Sequence, residues 1–191
     1  MNVYDFDGTI YSGDSTVDFY FFILRRHPSV IRVLPKQILA MAKHKLGKIS
    51  LTEAKETFFS FLPMIGDISA EAELFCERSQ NKIMPWYRKK QKADDIIISA
   101  SPEFLLKGFC RILGEIRLIA SEVDPKSGMF RSENCKGEEK VKRFKKAYGS
   151  VKIEEFYSDS HSDLPMARLA ESAYLVRKGR PYKWEIGKGK V

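Results

Sequence analysis

The chain has 191 residues, enough for one globular domain or for a core carrying a small insert. Apolar residues make up 43% and charged residues 30%, which excludes a disordered chain. The longest stretch free of Lys, Arg, Asp and Glu, Thr57 to Gly66, falls far short of the roughly 20 apolar residues of a membrane-spanning helix.

Lys plus Arg number 33 against 25 Asp plus Glu, a net charge of +8. Residues 177–191 hold +5 of it, six cations against Glu185. A second basic cluster runs through Lys82, Arg88, Lys89, Lys90 and Lys92. The plain reading is a solvated face and a loose tail. The functional reading is attraction of an anionic substrate or of lipid headgroups. No nucleic-acid partner is expected, because no recognised binding motif accompanies the charge. Cys76, Cys110 and Cys135 are far apart and odd in number, against a disulfide framework or a zinc site and in keeping with a reducing cytoplasm. No signal peptide is expected either, since no basic start leads into an apolar stretch and cleavage site.

Residues 2–6 read as a short buried strand ending at an acidic loop. Ser15 to Gly66 has helical character, with Phe19, Phe22 and Ile23, then Ile31, Leu34, Ile38 and Met41, at helical spacings. Ser50-Leu-Thr-Glu53 has the form of a capping box opening a helix toward Phe61. Ser69 starts another, reaching the region of Ile83, and Pro85 closes the block. The pattern then changes. Asp95 to Ser99 reads as a buried parallel strand, Pro102 to Leu113 as a helix, and Glu115 to Ala120 as a strand. Val123 to Glu133 looks like a hairpin excursion. Glu138–Tyr148 helix, Ile153–Tyr157 strand, Leu164–Ala170 helix and Ala173–Val176 strand complete the alternation. The fold class is α/β, a Rossmann-like parallel sheet with an inserted all-helical segment. Residues 1–13 and 86–191 form the core and 14–85 the insert.

Sites in open α/β sheets form outside the carboxyl ends of strands. Three predicted strand ends carry unusual polar residues: Asp5-Phe-Asp7-Gly8-Thr9, Ser99-Ala100-Ser101, and Ser158-Asp159-Ser-His161-Ser-Asp163. A Lys-rich helix start, Lys136-Gly-Glu-Glu-Lys140, falls between the last two. If these loops converge, several carboxylates meet a lysine and a serine. Such a set repels itself without a cation, and its all-oxygen donors favour Mg²⁺.

The constellation resembles the haloacid dehalogenase superfamily, and within it the phosphoserine-phosphatase-like subclass, subfamily IB, with a helical cap of the C1 type. DFDGT at 5–9, IISAS at 97–101 and SDSHSD at 158–163 are similar to its first, second and fourth motifs. The resemblance implies a Mg²⁺-dependent phosphatase acting on a small phosphorylated substrate. Asp5 is then the nucleophile that forms an aspartyl-phosphate, and Asp7 the general acid and base. Asp159 joins Asp5 and the Asp7 carbonyl as metal contacts, with Asp163 completing the acidic set or capping the following helix. Ser99 and the Ala100 backbone would bind phosphoryl oxygens, with Ser101 either pointing there or serving as a helix cap. Gly8 and Thr9 complete the first-motif turn and count with the substrate-binding residues.

The charge-neutralising lysine has two candidates. A Lys-Gly pair, as in phosphoserine phosphatases, selects Lys136. The pattern Cys-x-Gly-x-Glu-Lys-Val is similar to a group of bacterial phosphatases that includes a phosphatidylglycerophosphate phosphatase, and it selects Lys140, the preferred choice. Where the family often has Gly and Asn in the fourth motif, Ser160, His161 and Ser162 stand here. Asp14, nine residues past Asp5, is either an N-cap or a contact to a substrate amine or hydroxyl. Two alternatives stay open. One is a phosphotransferase or mutase with the same nucleophile. The other is a lipid-phosphate phosphatase, which Arg25-Arg26-His27-Pro28 and the following Leu34-Pro35 resemble; Lys36, Lys43, Lys45 and Lys48 interrupt the apolar run there, so the segment could lie on an anionic membrane surface without crossing it.

Overall fold

The computed structural model describes residues 1–186. A six-stranded sheet runs in the order β3-β2-β1-β4-β5-β6. Its strands are β1 (Asn2–Tyr4), β2 (Ile96–Pro102), β3 (Arg117–Ser121), β4 (Ile153–Ser158), β5 (Ala170–Arg177) and β6 (Arg180–Lys183). All pairings are parallel except β5 with β6. The central register sets Val3 between Ile96 and Phe156.

Alternation at period two sorts the side chains to the two faces. Ile96 and Ile98 join Val3, Phe144 and Phe156 in one apolar cluster. Ile97 joins Tyr4, Leu105 and Phe109 in the other. Across that second face the rings of Tyr4, Tyr157 and Tyr174 stack, with centroids 4.9 and 4.8 Å apart.

Between β1 and β2 come α1 (Ser15–Arg26), α2 (Leu34–Lys45), α3 (Leu51–Phe58), α4 (Ile68–Arg78) and α5 (Pro85–Lys90). The caps explain their starts. Asp14 accepts the Val17 N–H at 3.0 Å, Asp67 that of Ala70 at 3.0 Å, and Ser50 and Glu53 form the reciprocal capping box. The helix from Ser50 stops at Phe58 and continues to Met64 as a 3₁₀ segment containing Pro63, which has no N–H to donate. Pro85 does not close the block; it opens α5 at a first-turn position where its missing N–H costs nothing. Phe19, Phe61 and Phe75 of this region belong to the same apolar cluster as Tyr4 and Ile97 of the sheet. α4 lies so close to α6 (Glu103–Ile112) that a Cβ on Gly108 would stand 2.7 Å from Cys76 Sγ.

The remaining helices are α7 (Glu138–Tyr148) and α8 (Leu164–Ala167). α8 is shorter than the sequence pattern predicts and β5 begins three residues earlier, at Ala170. The first part of the basic tail forms β6, which folds back on β5 through Lys178 and Gly179, both at positive φ. Lys188 and Lys190 lie outside the described residues. Among the described residues, no helix is long and apolar enough to cross a membrane. All three cysteines are free and buried.

Candidate active site

The carboxyl ends of β1, β2 and β4 face one cavity of about 590 Å³. Asp5, Asp7, Ser99, Lys140, Asp159 and Asp163 all line it, drawn from four separate chain segments. Asp5 follows β1 directly and is held in line by its N–H, which donates to the Tyr157 carbonyl at 2.8 Å. The next turn is closed by three N–H groups, from Thr9, Ile10 and Tyr11, all donating to Phe6 O.

Lys140 is the buried cation at the centre. It is 2% exposed and donates to Asp5 Oδ1 at 2.8 Å and to Asp163 Oδ2 at 2.7 Å. Ser158 Oγ donates to the same Asp163 oxygen at 2.8 Å. Burial alone would lower the lysine's pKa, but Asp5 and Asp163 outweigh it and hold the ammonium charged. Burial pushes Asp5 up to about 7 against the pull of Lys140. Asp163 does not cap α8, since its side chain is committed to Lys140. Lys136 precedes the helix at the cavity wall, and among the described residues its side chain makes no ion pair; Gly137, at φ 58, separates it from α7.

Asp7 is clamped on both oxygens. Oδ1 accepts the Ser15 N–H at 2.6 Å, at the start of α1, and Oδ2 accepts Ser101 Oγ at 2.5 Å. Burial, then the neighbouring Asp14, pushes Asp7 up to about 6. Ser101 therefore faces the acid rather than capping α6, and its hydroxyl also meets Thr16 Oγ1 at 3.0 Å. Ser99 is buried and accepts the Ser101 N–H at 3.1 Å. Asp14 caps α1 and also lines the cavity. Thr9 is the exception among the candidates. It is fully buried beneath the turn, its hydroxyl has no partner among the described residues, and it is not part of the cavity wall.

Gly8 is required by Asp159. Its φ is +67°, and a Cβ there would stand 2.1 Å from Asp159 Oδ2. The carboxylate of Asp159 is thus laid across the first-motif turn. Burial and then Asp163 raise its pKa.

Sequence reasoning passed over Lys55. Its Nζ donates to the Ala100 carbonyl at 2.9 Å and to Asn134 Oδ1 at 3.1 Å, tying α3 to the end of β2. Burial brings it down to about 8, opposed by Asp14. The available signal was helical phase: Leu51, Lys55 and Phe58 share one face of α3, and all three line the cavity.

The donor set suits a hard divalent cation. Five carboxylates (Asp5, Asp7, Asp14, Asp159, Asp163) face three ammonium groups (Lys55, Lys136, Lys140), so the wall is two charges negative when all are ionised. Lys140 takes only one of the two Asp5 oxygens. Among the described residues no three acidic or imidazole groups form a ready cage. Mg²⁺ does not need one, since it keeps waters and takes one or two carboxylates with phosphate oxygens.

Comparison with known proteins follows the same lines. Protein CicA of Caulobacter vibrioides (strain NA1000 / CB15N) is 26% identical over 196 residues, spanning 93% of this chain and 86% of CicA. A Bordetella pertussis Tohama I protein of unknown function superposes with a TM-score of 0.69 at 19% identity, over 88% of this chain and 85% of that one. A phosphoserine phosphohydrolase-like protein from Francisella tularensis subsp. tularensis SCHU S4 superposes with a TM-score of 0.55 at 19% identity, over 91% and 86%. These two crystal structures share the fold. The sequence profile of the haloacid dehalogenase-like hydrolases matches residues 3–168, and the chain belongs to that family.

Proposed function

We propose that the protein is a Mg²⁺-dependent phosphomonoesterase that works through an aspartyl-phosphate on Asp5. The observation that carries this reading is the pairing of buried Lys140 with Asp5 in a cavity that also holds Asp7, Ser99 and Asp159. Asp5, Asp159 and the Asp7 carbonyl would hold the ion, which supplies charge neutralisation for the phosphoryl oxygens.

The free oxygen of Asp5 attacks phosphorus in line, and the bond to the leaving oxygen breaks. Lys140 holds Asp5 in place and offsets the charge gathering on the phosphoryl group. Asp7 gives its proton to the leaving oxygen. Its raised pKa keeps a protonated fraction near neutrality. Water then attacks the phosphorus and gives a proton to Asp7, and the Asp5–phosphorus bond breaks to release phosphate. Ser99 and the N–H groups around Ala100 receive the phosphoryl oxygens. The helices of residues 14–85 act as a cap over the core of 1–13 and 86–191, excluding water from the intermediate. The three free, buried thiols accord with a cytoplasmic location.

The test is a panel of soluble phosphate monoesters with Mg²⁺, run on the wild type and on Asp5→Asn. Turnover in the wild type alone is expected, and turnover surviving in Asp5→Asn overturns the assigned nucleophile. Labelled product exchanging into substrate in place of net phosphate release would assign a phosphotransferase instead.

A further inference from the structure

Helix α2 is turned inside out relative to an ordinary surface helix. Its two buried residues are Gln37 and Ala40. Gln37 is anchored inward, accepting from Tyr20 Oη at 2.8 Å and donating to the Phe58 carbonyl at 2.7 Å. The outward face carries the apolar groups. Ile38, Leu39, Met41 and Leu46 are 60%, 55%, 48% and 71% exposed. Ile31, on the preceding 3₁₀ segment Pro28–Val33, extends the patch.

Charge on this surface is mostly positive, Glu53 and Glu56 of α3 being acidic groups that share a groove with Lys36, Leu39 and Lys43. From Phe19 to Thr52 the chain has no Asp or Glu, while Arg32, Lys36, Lys43, Lys45 and Lys48 all fall on or beside α2. Glu71 instead pairs with Arg26 and meets His27 Nε2 at 3.0 Å. An apolar face fringed by cations that make no ion pair among the described residues suits the headgroup boundary of an anionic bilayer, where the side chains enter the acyl region and the cations meet phosphates. A second copy of this chain fits poorly, because a two-fold contact would set the same five cations against each other.

The patch is continuous with the cavity. Met41 is half exposed on α2 and also lines the cavity, beside Val17, Leu51 and Phe58. We propose that α2 and the turn before it dock on an anionic lipid bilayer, with the apolar rim of the catalytic cavity at the membrane surface. The substrate is then a phosphate monoester on a membrane amphiphile, a step that rests on the phosphatase reading above.

The experiment is co-sedimentation of the full chain with vesicles of phosphatidylcholine alone, and of phosphatidylcholine and phosphatidylglycerol in equal parts. Binding to the mixed vesicles only, weakened by high salt, is expected. Ile38→Glu/Leu39→Glu should lower that binding roughly tenfold or more, while turnover of a soluble phosphate ester is unchanged. Equal binding to both vesicle types, no binding, or a wild-type dimer that this variant dissociates overturns the proposal. The salt and lipid dependence of the wild type decides the matter if the variant does not fold. Vesicle binding by a chain that hydrolyses no phosphate ester would sink the phosphatase reading and leave the docking surface standing. Ester turnover without vesicle binding would do the reverse.

Discussion

Lys140 Nζ lies 2.8 Å from Asp5 Oδ1, across 135 residues of sequence, and the same nitrogen holds Asp163 at 2.7 Å. One ammonium group therefore fixes the ends of two separate loops. Removing it leaves two buried carboxylates facing each other. Lys140→Met should cost about 3–5 kcal/mol of stability and lower kcat/KM by on the order of 100-fold or more. Lys136→Met should change both little. Denaturant titration together with kinetics on the two variants checks the contrast, and equal losses would remove Lys140 from its central place.

Gly8 and Asp159 make a second strict relationship. Gly8→Ala brings a Cβ to within 2.1 Å of Asp159 Oδ2 and places it at φ +67°. The backbone strain costs about 1–2 kcal/mol, and the displaced carboxylate should lower activity by on the order of 100-fold. Gly47 is the control: its φ is +69°, and a Cβ there meets nothing within 4 Å. Gly47→Ala should share the stability loss and keep full activity, as thermal melts and assays run in parallel will show.

Lys55 makes stability depend on pH on the alkaline side. Its folded pKa is about 8, below the 10.5 of an unperturbed lysine. Between those values the unfolded chain holds a proton that the folded chain has lost, so this group makes stability rise with pH across that window. Lys55→Met removes the slope. Urea unfolding of both proteins from neutral pH upward should give a difference that is flat below about 8 and shifts toward the wild type above it. A constant difference would show that the lysine is not desolvated.

Asp95 behaves in the opposite sense. It is buried at the entry to β2, accepts the Lys92 N–H at 2.8 Å on one oxygen, and leaves the other without a partner. Burial pushes it up to about 6 from 3.8. The folded state therefore holds the extra proton in that window, and stability falls as pH rises through it. Asp95→Asn should stabilise the protein at neutral pH, by about 1 kcal/mol once solvent screening is allowed for. The gain should shrink toward pH 4. Melting temperatures across this range are the measurement.

The sheet was legible because parallel strands buried on both faces read as β-branched runs, as Ile96 to Ile98 do. The strand ends were legible because a carboxylate has little reason to follow such a run unless a site needs it. What sequence could not resolve was three-dimensional phase. Lys136 and Lys140 are interchangeable on a helical wheel until Gly137 is known to break the chain ahead of α7, which places Lys140 with Val141 and Phe144 on the buried side. Thr9 belongs to the DFDGT string, yet the Phe6 turn rolls it under the loop. β6 was hidden because Arg180 to Lys183 is wholly exposed and has no hydrophobic alternation; only its pairing with β5 makes it a strand. Pro85 misled because a proline ends and begins helices with equal ease, and the helix lay on its far side.

The close seating of Cys76 on Gly108 restricts how the protein can breathe. α4 is welded to α6, and Phe19 of α1 packs edge-on against Phe75 of α4 at 5.4 Å, so these two helices travel with the sheet. The segment after α3 joins the same block through buried Phe59, Phe61 and Leu62, and Lys55 adds a tie from α3 to the Ala100 carbonyl. Any sliding of α4 against α6 has to begin by opening a contact too tight for one added methyl group.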